Sequence, residues 1–100
     1  MSYTTNQMAA EFVKHDGRKL PHRSVELRYP LGDAVEYRLH GNVICRQYEK
    51  GGDLHFDWCD RYTPTTAKHM NAILKAAGRA KRVSYAQHRD AGVDVFTIHP

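Results

Sequence analysis

The chain has 100 residues, of which 41% are hydrophobic and 26% charged, with seven Gly, four Pro and ten aromatics. That is apolar material for one core and not two, so the sequence predicts a single domain over 1–100 and excludes a multidomain enzyme. No run approaches the ~18 apolar residues of a membrane span, and MSYTTNQMAAEF lacks a basic-then-apolar leader, so no membrane partner and a cytoplasmic location are expected.

In chain order, Met8, Ala9, Phe12 and Val13 share one stripe at helical spacing, which predicts a helix from Thr5 to Lys14. Thr4 or Thr5 caps it and Gly17 follows its end. Residues 16–23 (DGRKLPHR) are rich in breakers and read as a loop.

From Ser24 the period changes to two. Val25, Leu27 and Tyr29 alternate with Glu26 and Arg28, and Pro30-Leu31-Gly32-Asp33 turns the chain. Val35, Tyr37 and Leu39 then alternate with Glu36, Arg38 and His40. Gly41-Asn42 predicts a two-residue hairpin turn that sets His40 against Val43 and Leu39 against Ile44. A second hairpin closes through Lys50-Gly51-Gly52. With a three-residue loop, Leu54 faces Tyr48, Phe56 faces Arg46 and Trp58 faces Ile44, which gathers these apolar residues with Tyr37 and Leu39 on one sheet face. A loop one residue longer shifts that register, so the shorter loop is the expectation.

Thr63 as N-cap, Pro64 at the first helical position and Gly78 as terminator predict a second helix. Its stripe of Ala67, Met70, Ile73, Leu74 and Ala77 covers the apolar sheet face, with Lys68, Asn71 and Lys75 outward and His69 on the exposed side. Trp58 is expected beneath it, against Met70 or Leu74, whereas Cys45→Ser on the other face is expected to be nearly neutral. Residues 82–89 and 93–99 alternate around Asp90-Ala91-Gly92 and read as a final hairpin. The predicted order is therefore α-β-β-β-β-α-β-β, a small two-layer α+β domain with the second helix packed on one face of an antiparallel sheet.

The opposite face is predicted to be polar, carrying Glu36, Arg38, His40, Val43, Cys45, Gln47, His55, Asp57 and Cys59, with cross-strand rows Glu36–Gln47–His55 and Arg38–Cys45–Asp57. Its bland interpretation is a solvated face with charge pairs, and its functional one is a partner-binding face in which Arg38 and Asp57 take part. His40, Cys45, His55 and Cys59 are zinc-ligand types, but their spacing matches no paired metal signature and a flat sheet cannot gather them, so no metal and no cofactor are expected. Cys45, His55 and Asp57 form no nucleophilic set with an oxyanion site, and no phosphate loop is present, so no catalytic residue is assigned. Two cysteines are too few for a disulfide scaffold.

Charge is uneven. Residues 1–60 sum to −1 and residues 61–100 to +5, within a total of +4. Lys75, Arg79, Lys81, Arg82 and Arg89 form a run without a carboxylate, Tyr85 lies among them, and Arg18, Lys19 and Arg23 offer further cations. Such a run is either a solvated helix end or the electrostatic footprint of a nucleic-acid contact.

The segment YRLHGNVICRQYEKGGDLHFDW running into TPTTAKHMNAILKAAG resembles small uncharacterised proteins of tailed bacteriophages. The resemblance covers about half the chain and rests on Trp58, Thr63, Thr65, Thr66, His69 and Asn71. It implies a role class and transfers no active-site residue. Phage proteins of this kind bind a host protein or ribonucleoprotein complex, as host inhibitors or anti-defence proteins, for example against a CRISPR effector. Two functions are therefore expected to compete. One is a non-enzymatic inhibitor of a host nucleic-acid-handling or defence complex. The other is a stand-alone nucleic-acid-binding module using the basic 75–89 region.

Overall fold

A computed structural model describes residues 3–30 and 34–100. In chain order they form α1 (Thr5–Lys14), β1 (Val25–Arg28), β2 (Val35–Leu39), β3 (Asn42–Gln47), β4 (Leu54–Asp57), α2 (Pro64–Ala76), α3 (Tyr85–Ala91) and β5 (Val95–Ile98). The strands make one antiparallel sheet in sequence order, β1-β2-β3-β4-β5. The α+β class and the one-sided sheet follow the sequence. Of the first turn, Leu31, Gly32 and Asp33 lie outside the described residues.

Both long helices begin where their caps specify. Thr4 accepts from the Gln7 amide while the Gln7 side chain accepts from the Thr4 amide, a reciprocal box that satisfies two otherwise orphaned donors. Thr63 accepts from the Thr66 amide, with Pro64 at the first helical position. The helices pack together over one sheet face. Met8, Ala9 and Phe12 of α1 join Met70, Ile73 and Leu74 of α2 over Leu27, Tyr37, Leu54 and Phe56. Phe12 meets Tyr37 edge to face at 5.6 Å between ring centroids.

The β3 register differs from the expectation in two linked ways. The first hairpin turns on His40-Gly41 rather than Gly41-Asn42, because His40 and Gly41 take φ of 50° and 83° and Asn42 already pairs with Leu39. Two consecutive positive φ values are what a tight hairpin turn matched to strand twist requires. The ladder then slips, so that Arg38 faces Val43 but Tyr37 faces Cys45, leaving Ile44 as the extra residue of a bulge. The second hairpin closes one residue tighter than the expected three-residue loop, with the Gly52 amide donating to the Glu49 carbonyl at 3.0 Å around Lys50-Gly51, and Cys45 pairs with Phe56.

Cys45 and Gln47 therefore enter the core, each no more than 1% exposed, while Tyr48 is turned out at 63% exposure. The bulge buries Ile44 as well, so one strand supplies apolar side chains in two successive positions. The predicted rows through Gln47 and Cys45 are replaced by one in which Arg46 stands between Glu36 and His55. Burial of Cys45 also overturns the expected neutrality of Cys45→Ser.

Two further expectations are corrected. Residues 85–91 are helical, not the first arm of a hairpin. Ser84 caps α3 by accepting from the Gln87 amide, and Gly92 ends it in the left-handed region at φ 67°, two local signals that outweigh a short alternation. His69 is buried rather than exposed, because α1 flanks α2 and the Tyr37 hydroxyl lies 2.7 Å from its Nδ1. Asn71 is half-buried, donating to the Val83 carbonyl and accepting from the Val83 amide, and so ties down the segment after α2. Trp58 is fully buried as expected, but the partners that define its seat are Tyr62, His88 and Phe96, from the following loop, α3 and β5, in place of the expected Met70 or Leu74. Among the described residues, no helix is long and apolar enough to cross a membrane.

Candidate functional site on the open sheet face

Because α1 and α2 cover one side of the sheet, alternate residues of the strands stand on a side that neither helix reaches. The register runs Arg28, Glu36, Arg46, His55 and Thr97 in one row across all five strands. Beside it, Glu26 faces Arg38 and Arg38 faces Val43. Charges of opposite sign alternate over its first three members, Arg28, Glu36 and Arg46, which is the favourable cross-strand arrangement.

Glu36 organises the centre. Its Oε1 accepts from Arg38 Nε and Nη2 at 3.2 and 2.9 Å, and its Oε2 accepts from Arg46 Nε at 3.2 Å. Partial burial works against its charged form, but the hydrogen bonds and charges of Arg38 and Arg46 outweigh that and hold the carboxyl below the usual carboxylate range. Arg28 pairs with Glu26 at 2.9 Å. Between these groups lies an open groove of about 560 Å³, lined by Lys19, Arg28, Tyr29, Arg38, Arg46 and Tyr48 along with Glu36. The Tyr29 hydroxyl donates to the Arg18 carbonyl at 2.6 Å, which fixes that wall. A second hollow lies over β4 and β5, where His55 Nδ1 and Thr97 Oγ1 are 3.1 Å apart and Asp57 and Val95 face the solvent side.

The sequence-assigned residues are divided between two regions. Arg38 and Asp57 stand on this open face as expected, although Asp57 is occupied in accepting from the Cys59 amide at 2.8 Å. Lys75, Arg79, Lys81 and Arg82 sit at and beyond the C-terminal end of α2, and Arg89 lies in the last turn of α3, paired with Asp90 at 3.2 Å. Within the basic run, Arg79 works as a clamp. It donates to the Ala77 and Gly52 carbonyls at 3.0 and 2.9 Å, fastening the end of α2 to the β3–β4 loop. Tyr85 is part-buried against the core on α3 instead of standing on a strand. Lys75, Lys81 and Arg82 remain exposed.

Arg28, Arg46 and Tyr48 were not singled out by sequence. The signal for Arg46 was its placement opposite Phe56 on the supposed apolar face, where an unpaired guanidinium is costly and a register shifted by one residue turns it outward. Cys45 and His55 stand on opposite faces of the sheet, so neither the Cys–His–Asp set nor the four-residue zinc set converges. Burial drives the Cys45 thiol well above its ordinary pKa, the reverse of what a nucleophile needs. No family model, curated protein or solved structure matches the chain.

Proposed function

We propose that this chain is a small non-enzymatic binding protein, of the phage-encoded kind, that inhibits a host nucleic-acid-handling or defence complex such as a CRISPR effector in the host cytoplasm. Its contact surface in this reading is the open sheet face. The supporting observation is the one-sidedness of the fold. Two helices are spent on one face of a five-stranded sheet, and among the described residues no helix covers the other, where Glu36 holds Arg38 and Arg46 and Glu26 holds Arg28. Arginine-rich, tyrosine-flanked surfaces of this kind suit wet protein and ribonucleoprotein interfaces. The separation of Cys45 from His55 supports a role without covalent chemistry.

Co-elution of the tagged chain with host complexes, compared with its Arg28→Glu/Arg46→Glu variant, tests the proposal. A stoichiometric nucleic-acid-handling partner that is lost with the variant is the expected result. Failure to recover such a complex, or equal recovery by both proteins, overturns it.

The stand-alone nucleic-acid module is the second reading, favoured by exposure of Lys75, Lys81 and Arg82 on one stretch of chain. It predicts duplex or single-strand binding that falls steeply with salt and disappears in Lys75→Glu/Lys81→Glu/Arg82→Glu.

A further inference from the structure

We infer that the groove over β1, β2 and β3 takes the phosphate backbone of single-stranded nucleic acid, and that this is how the open face engages its target. The inference rests on the proposed role of that face and names its ligand. The groove is lined by Lys19, Arg28, Arg38 and Arg46 against Glu36, with Glu26 paired to Arg28 beside it, so four cations face two carboxylates and its wall is net cationic. Glu36 and Glu26 engage each guanidinium chiefly through its Nε edge. Among the described residues, the terminal nitrogens of Arg28 and Arg46 and Nη1 of Arg38 make no other hydrogen bond, so they are free to donate to an anion. The arginines are thus positioned before a ligand arrives, and a planar fork is well matched to phosphate oxygens.

The cations are spread, not focused. Glu36 separates Arg28 from Arg46 across neighbouring strands, placing their backbones ~9–10 Å apart, with Arg38 diagonal to both. That spacing fits a chain of phosphates better than one isolated anion. Tyr48, 63% exposed at the groove and set edge-on to His55 at 5.5 Å, offers a fixed aromatic surface for a base. A single strand presents free base faces to stack on it, whereas a duplex hides them and an acidic peptide has none.

The test is fluorescence anisotropy with a labelled oligothymidylate of about twelve nucleotides, with thymidine monophosphate, a duplex and polyglutamate as competitors. Three to four phosphate contacts predict that affinity falls roughly 20- to 50-fold between about 50 and about 200 mM salt. Arg28→Ala/Arg46→Ala should weaken binding about tenfold or more, and Tyr48→Ala at least about fivefold. All three side chains are largely exposed, and circular dichroism checks that the variants stay folded. Absence of salt-dependent binding, or equal binding by the arginine double variant, overturns the inference. Competition by polyglutamate or duplex as strong as by single strand reassigns the groove to an acidic surface or to duplex, and equal competition by the monophosphate reassigns it to a nucleotide. If the oligonucleotide fails to bind while the host complex still co-elutes, this inference falls and the proposed function stands. If both fail, the reading of the open face falls with it.

Discussion

The indole Nε1 of Trp58 donates to Nδ1 of His88 at 2.8 Å, and the two rings meet nearly perpendicular at 5.6 Å. Trp58 is fully buried, whereas no residue of α3 is. His88 also meets Phe96 edge-on at 4.7 Å, so one imidazole ties the short helix to both aromatic rings, with Tyr85 packed against the core.

His88→Ala should therefore release α3 without unfolding the domain. Hydrogen exchange of amides 85–91 should accelerate markedly while those of α2 keep their protection, since a seven-residue helix is not stable alone. Trp58→Ala should instead cost ~3–5 kcal/mol, because it empties a large fully buried site. Urea denaturation of both variants measures the contrast.

Acid should destabilise the fold. Burial, with smaller contributions from the nearby His22, Lys68 and His40, pushes His69 down from 6.5 to about 4, and burial also lowers His15, His22 and His88. The neutral ring is the folded form, so the unfolded chain binds more protons within this window. Stability is full above the unfolded pKa and is lost as pH falls towards the folded one. His69 by itself predicts about 2 kcal/mol less stability at about pH 5 than at about pH 7. Urea midpoints at the two pH values test this, and His69→Gln should flatten the dependence.

The two thiols should behave differently. Cys45 is buried between Tyr37 and Phe56, while Cys59 is partly exposed just beyond β4. A thiol reagent added to the native protein should label Cys59 first and reach Cys45 only on unfolding. Cys45→Ser should cost ~1–3 kcal/mol, since it places a hydroxyl in an apolar site.

The hairpin turn can be improved. His40 is exposed and holds φ of 50° immediately before Gly41, a conformation that Asn adopts more readily. His40→Asn should stabilise by ~0.5–1 kcal/mol, read as a melting temperature higher by a few degrees.

Several of these features were legible without the fold. Thr4 with Gln7, and Thr63 with Pro64, start their helices through contacts three residues long. Alternation set the faces of β1, β2 and β4 correctly, so Glu36, Arg38, His55 and Asp57 were placed outward from sequence. The Ser84 cap and the Gly92 terminator were also present in the chain, although a competing alternation obscured the helix between them.

What sequence by itself determined was whatever depends on neighbours along the chain: the helix caps, the period of each strand, the α+β class and the excess of positive charge. Tertiary structure decided the phase of β3. A two-residue period states which side chains share a face but not which face is buried, and that was settled by the bulge at Ile44 and the length of the following loop. Burying Cys45 against Tyr37 and Phe56 turned Arg46 outward to meet Glu36, and the open-face site exists because of that exchange. The same holds for His69 and His88, whose partners Tyr37 and Trp58 lie 32 and 30 residues away and come within reach only when the sheet and helices close.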